Sequence, residues 1–346
     1  MKNKIKLVVW GDHWHPLFQS SLEFILANKM SSVEVCAIIT SPLEKNRTGW
    51  SRPVLSKKDL FRRAIKRIYS SLKPKDKSFL GKWGTIEQQL KQRQIPQYSP
   101  TKSELTTSDF TSLLKNLKAD LFLFVAYTEY VPPKIFNIAP VSLNIHPSLL
   151  PHYRGSHPIV WALKNGETTI GVTSFKMHEE LDAGDIFEAR SFVISDDQSF
   201  DSIIEQACVE TKTLVENIIT CASNDTLKFH SQDHTLATRY YPPTESDYKV
   251  NWNTWHASRF FWTDKISPGS IWTIVNGNRV VLTHIKKQPG AAGVPGKILK
   301  FENGSVYLAT AEGTISVAKI ESGVCLRTNA QRVLKRLGFS VGDVLQ

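Results

Sequence analysis

Apolar residues in this chain follow two rhythms, and the change between them limits the fold more than any single residue does. Up to about residue 222, short apolar runs alternate with helical stretches. Lys4–Trp10, Val33–Thr40, Asp120–Tyr127 and Val141–His146 read as strands buried on both faces. Between them, Pro16 opens an amphipathic helix to about Ala27, and further helices are expected over Lys57–Ser70, Ile86–Arg93 and Thr107–Leu117. Ser199–Ala222 reads as a long helix, with Ser199 or Asp201 as its cap. Such alternation predicts an α/β unit: an open, mostly parallel, Rossmann-like sheet with helices on both faces. Sites in such sheets form at the carboxyl ends of strands.

From about Asp247 the rhythm shortens. The runs SIWTIV, RVVLTHI, GSVYLAT and GTISVAKI are separated by Asn-Gly, Pro-Gly and Glu-Gly turn dipeptides, which predicts a small β-barrel domain. Lys249–Trp262 is expected to be its leading helix. The chain of 346 residues therefore divides into a catalytic domain over 1–222, a polar linker over 223–245 containing Pro242-Pro243, and a β domain over 246–346.

The net charge of +11 is uneven. Residues 41–80 carry twelve Lys and Arg against Glu44, Asp59 and Asp76. A surface of that kind suits a polyanion, with Arg62, Arg63, Lys66 and Arg67 on the expected basic helix as candidate contacts. The alternative is a solvated basic helix with no partner. Cys36, Cys208, Cys221 and Cys325 lack metal-ligand spacing and read as free thiols of a reducing compartment. The first apolar run is too short for a signal or a membrane span, so the expected location is cytoplasmic, with no membrane partner. His13 and His15 could converge on an ion, but no third ligand is suggested nearby, and no metal is expected.

Asn144 and His146 leave the same face of one strand, two residues apart, and Pro151 follows the strand. Asp182 lies far enough along for a helix and a strand to return it to the imidazole. An amide, an imidazole and a carboxylate suit attack by an amine on a carbonyl. The amide and imidazole hold the developing oxyanion, while the carboxylate holds one imidazole tautomer and helps move the proton.

These residues sit in a set of motifs: Asn144-Ile145-His146, Ser148–Pro151, Tyr153-Arg154-Gly155 and Leu181–Asp185, preceded by Phe124–Phe136. Together they resemble the folate-dependent formyltransferase family over about residues 110–195. The resemblance implies transfer of a formyl group from 10-formyltetrahydrofolate to a primary amine, with Asn144, His146 and Asp182 catalytic. It places the folate against Phe124, Val125, Ala126 and Tyr127, against Ser148, Leu149, Leu150 and Pro151, and against Gly184 and Asp185, mostly through backbone atoms. Arg154 and Gly155 match its acceptor-side motif. The β domain resembles the OB-like C-terminal domain of the tRNA-acting members.

Two acceptors stay open. The β domain and the basic 41–80 segment favour the amino group of methionyl-tRNA. Gly155-Ser156-His157-Pro158 and the first loop, Gly11-Asp12-His13-Trp14-His15, lean toward a nucleotide-linked amino sugar. A non-catalytic binding protein of the same fold is the third reading, and the complete motif set argues against it.

Overall fold

The computed structural model describes residues 4–27, 32–42, 77–290, 293–322 and 325–345. The expected helix over Lys57–Ser70, and with it Arg62, Arg63, Lys66 and Arg67, lies outside the described residues. The described residues form two compact units. One runs through Pro158 and resumes over Thr169–Tyr240, and the other comprises Ile159–Thr168 and the chain from Tyr241 onward.

The first unit is built on a seven-stranded sheet. Its strands are β1 (Ile5–Trp10), β2 (Val33–Ile39), β3 (Gln97–Tyr98), β4 (Leu121–Val125), β5 (Val141–His146), β7 (Thr169–Lys176) and β8 (Ile186–Val193). Their order is β3-β2-β1-β4-β5-β7-β8, parallel through β5 and antiparallel at β7 and β8. A separate two-stranded ribbon pairs β6 (Arg154–Gly155) with β9 (Arg239–Tyr240) in parallel.

Alternation along β1 splits its side chains between two cores. Val8 and Trp10 join Phe122, Phe124 and the helical residues Phe110 and Leu114 in one cluster, where the Trp10 and Phe124 rings stack at 4.9 Å. Leu7 and Val9 go to the other face and are fully buried.

Helix α1 (Pro16–Ala27) is followed by α2 (Lys77–Gln92), which begins nine residues before the expected Ile86. Helix α3 (Ser108–Asn116) is capped by Thr107, whose hydroxyl accepts from the Phe110 amide at 3.3 Å. Next come α4 (Pro133–Phe136), α5 (Pro158–Lys164) and α6 (Phe200–Ser223). Ser199, rather than Asp201, caps α6, accepting from the Ser202 amide at 3.0 Å. Residues 223–240, expected to open a linker, are structured. Ile186 and His230 form an antiparallel bridge, and β9 is hydrogen-bonded to β6.

The second unit contains β10 (Trp272–Val275), β11 (Asn278–Gln288), β12 (Ile298–Glu302), β13 (Ser305–Ala309), β14 (Thr314–Ser322) and β15 (Cys325–Asn329). They make one antiparallel sheet, β10-β11-β14-β13-β12 with β15 on β14, consistent with a small barrel. The expected helix over Lys249–Trp262 is corrected to α7 (Ala257–Ile266), capped by His256, and α8 (Ala330–Arg336) follows. Asn251 diverts the preceding residues, its side chain accepting from the Asn253 amide, which offers the backbone an alternative to a helix. Buried Asp264 fastens α7 to β11, accepting from the Ile285 amide and the Thr283 hydroxyl, each at 2.9 Å. Burial pushes its pKa up, since those two donors only partly offset the lost solvation.

Candidate active site

Strand β5 lies between β4 and β7, and its carboxyl end brings the sequence motifs together. Phe124 pairs with Asn144 on one side, and His146 pairs with Thr173 on the other. Asn144 is half-buried and His146 is buried. Beyond the strand, the Leu150–Pro151 peptide is cis. Thr173 holds this turn to β7: its hydroxyl donates to the Ser148 carbonyl at 2.7 Å and accepts from the Leu150 amide at 3.1 Å.

His146 Nε2 lies 2.8 Å from the Tyr153 carbonyl oxygen. A carbonyl only accepts, so Nε2 carries a proton, and Nδ1 faces the other way. That Nδ1 is 3.8 Å from Asp182 Oδ2. A proton arriving on Nδ1 converts the same approach into a buried ion pair. Asp182 Oδ2 is fixed independently, accepting from the Gly155 amide at 2.7 Å.

The Asp182 loop is tightly shaped. Asp182 has a left-handed backbone, φ 56°, and a Cβ at Gly184 would overlap the Lys176 carbonyl oxygen. Gly155 has φ 97°, and a Cβ there would overlap the Tyr240 carbonyl oxygen. Both glycines are therefore required by backbone approach. Asp185 accepts from the Ser231 hydroxyl at 3.1 Å.

Arg154 is only 3% exposed. Its Nε and Nη2 donate to Gln232 Oε1 at 3.2 and 2.6 Å, Nη2 is 3.1 Å from His234 Nδ1, and Nη1 is 3.6 Å from Glu180. Burial lowers its pKa, with Glu180 opposing. The guanidinium thus has an inward set of partners. Gln232 was not visible as a site residue from sequence, because it sits in a polar stretch without periodicity.

At the end of β4, the Phe124 and Val125 side chains are buried, whereas Ala126 and Tyr127 are half-buried, with Ala126 at φ 52°. What this segment exposes is almost wholly Ala126 and Tyr127. The first loop approaches it closely: the Asp12 amide donates to the Ala126 carbonyl at 3.2 Å, and a Cβ at Gly11 would overlap the Val125 oxygen. Asp12 is fully buried, accepting from the hydroxyls of Ser41 and Thr128, and so ties together the ends of β1, β2 and β4. His15 is pushed down to about 4 by burial, with His157 adding repulsion, and burial also lowers His13 and His157. These imidazoles are neutral at pH 7. Among the described residues, no three His, Cys, Asp or Glu side chains are grouped to hold a metal ion, and no helix is long and apolar enough to cross a membrane.

Residues 71–218 match the family described as formyl transferase. The chain is 29% identical over 238 residues to the methionyl-tRNA formyltransferase of Streptococcus pneumoniae strain CGSP14, covering 68% of this chain and 75% of that one. Among solved structures it resembles an N-formyltransferase from Helicobacter canadensis in complex with folinic acid and dTDP-3-aminofucose. That match has a TM-score of 0.57 and 16% identity, over 90% of this chain and 98% of that one. The chain also spans about half the length of HypX from Aquifex aeolicus, with 17% identity over 98% of this chain and 50% of that one. The TM-score there is 0.47. Sheet order and motif geometry agree with the family match: residues 71–218 resemble the formyl transferase family, and the chain is similar to its named members.

Proposed function

We propose that the protein transfers a formyl group from 10-formyltetrahydrofolate to the amino group of methionyl-tRNA, with Asn144, His146 and Asp182 as the catalytic residues. The observation that carries this reading is the approach of His146 Nδ1 to Asp182 at 3.8 Å, at the end of the strand that also bears Asn144. In this scheme the acceptor nitrogen bonds to the formyl carbon and the bond from that carbon to N10 of the folate breaks. His146 Nδ1 takes the proton lost by the amine and returns it to the departing N10. Asp182 stabilises the imidazolium formed between those two transfers, because the charge appears in a buried site. The Asn144 amide donates to the formyl oxygen as negative charge gathers there.

The folate is assigned to the main chain of Phe124–Tyr127, the Ser148–Pro151 turn and the Gly184-Asp185 corner. Ala126 and Tyr127, half-buried at the end of β4, are the part of that segment a ligand can reach. Arg154 and Gly155 are assigned to the acceptor side, Arg154 as the buried brace beneath it and Gly155 through its hold on Asp182. Arg62, Arg63, Lys66 and Arg67 are assigned to tRNA phosphates on their charge alone. On this reading the first unit is the catalytic domain, the unit from Tyr241 onward supports acceptor binding, and the protein works in the cytoplasm.

The methionyl-tRNA acceptor is supported by the named relative and by the basic 41–80 segment. The test presents the purified protein and 10-formyltetrahydrofolate with methionyl-tRNA or with a dTDP-linked amino sugar, and follows formyl incorporation. Incorporation into methionyl-tRNA is expected. Incorporation into the sugar alone would replace the acceptor, and none into either would remove the reaction.

A further inference from the structure

Residues 230–240 run along both motif loops, yet the chemistry above uses none of them. The Thr238 hydroxyl accepts from the Tyr153 amide at 2.8 Å, and the Tyr240 carbonyl accepts from the Ser156 amide at 2.9 Å. At the centre of this strap sits Gln232, 6% exposed. Its Oε1 receives two hydrogen bonds from Arg154, and its Nε2 donates to the carbonyls of Asp182 and Gly184 at 2.9 and 2.7 Å. The amide orientation is fixed by chemistry, since the guanidinium only donates and the carbonyls only accept.

We propose that Gln232 is a positioning residue that holds the Asp182 carboxylate against His146 by clamping the Asp182 and Gly184 carbonyls to the buried Arg154 guanidinium. The inference rests on the proposed roles of His146 and Asp182. Asp182 has a left-handed backbone that residues other than glycine adopt only where their surroundings hold them. Its carboxylate is fixed by the Gly155 amide, but the backbone bearing that carboxylate is fixed through Gln232. Arg154 and Gly155 are adjacent, so one two-residue strand holds the carboxylate directly and the loop indirectly. Loss of the clamp frees the loop to drift, and a shift of about 1 Å at a reacting group costs about 100-fold in rate.

Gln232→Met, similar in length and uncharged, removes all four hydrogen bonds. Gln232→Glu keeps a partner for Arg154 but offers the two carbonyls no N–H. Asp233→Ala is the control: it disturbs the same strap by removing the acceptor for the Thr235 amide, and it leaves Asp182 untouched. Two readouts are taken on the full chain: kcat for methionyl-tRNA with 10-formyltetrahydrofolate, and an NMR titration of the His146 imidazole without substrate.

Both Gln232 variants are expected to lose about 30-fold or more in kcat with KM for methionyl-tRNA within about threefold. Gln232→Met is expected to move the His146 titration by about half a pH unit or more. Asp233→Ala is expected to do neither. The inference is overturned if either folded Gln232 variant keeps kcat within threefold, if Gln232→Met leaves the titration in place, or if Asp233→Ala loses as much. Should Gln232→Met not fold, the kcat of Gln232→Glu decides. A wild-type protein that formylates neither acceptor would count against the proposed function alone, because the titration reads the clamp without turnover.

Discussion

At the scale of single residues, the proposed chemistry depends on which imidazole nitrogen is free to exchange a proton. His146 Nε2–H is engaged by the Tyr153 carbonyl, so Nδ1, facing Asp182, is the position that can take up and release a proton. His146→Ala is expected to lower kcat about 1000-fold, and Asp182→Asn about 100-fold. Circular dichroism should show both variants folded, and a rate within tenfold of wild type would remove that residue from the chemistry.

Lys164 gives a second prediction. It is 1% exposed, lies over the rings of Trp161 and Tyr248, and donates to the Asp247 carbonyl at 3.1 Å. Burial, with Arg259 adding repulsion, pushes its pKa down to about 7 from an ordinary 10.5. Between those values the unfolded chain holds a proton that the folded chain has lost, so stability rises with pH across that window. Below about pH 7 the folded protein carries the buried charge, and stability is lowest with respect to this group. Thermal melts of Lys164→Met should therefore gain most at pH 6 and lose the rise toward pH 10. Parallel Tm profiles for the two proteins would refute this.

At the scale of elements, the turns and caps decide more than the helices and strands themselves. Ser199→Ala removes the hydroxyl that caps α6 and is expected to cost about 1 kcal/mol in urea unfolding, with activity unchanged. Gly184→Ala forces a methyl into the Lys176 carbonyl and is expected to cost several times more, with loss of activity, as the Asp182 corner moves. The strands β1, β2, β4 and β5 were legible because continuous Val, Ile, Leu and Phe runs have few other destinations. Motif spacing singled out Asn144, His146 and Asp182 in the sequence, and the structure brings His146 and Asp182 together.

Gln232, Thr173 and Asp12 were not legible. Each is a buried polar residue whose value lies in partners distant in sequence: Arg154, Ser148 and Thr128. Hydrophobic periodicity carries no record of such partners. The helix misplaced over Lys249–Trp262 failed for a related reason, since Trp252 and Trp255 have helical spacing while Asn251 draws the local backbone away.

At the scale of the whole molecule, charge separates the two acceptor readings. If tRNA phosphates are held by the 41–80 segment, kcat/KM for methionyl-tRNA should fall steeply between 50 and 200 mM salt, on the order of 10-fold or more. Reversing Arg62, Arg63, Lys66 and Arg67 to Glu should abolish tRNA formylation and leave any small-amine turnover intact. A flat salt response would argue for an uncharged or compact acceptor.

The division of the chain at Pro158 and Thr168 has a practical consequence. Ile159–Thr168 lies in sequence between two strands of the first sheet, yet its companions are Tyr241, Asp247 and Arg259. A stop codon after Tyr240 thus does not release a self-sufficient first unit. It strands the indole of Trp161 and the ammonium of Lys164 without the neighbours that shield them. Expression trials of such a truncation should yield aggregated material, whereas excising the ten-residue excursion along with the C-terminal unit gives the fragment its best prospect of solubility.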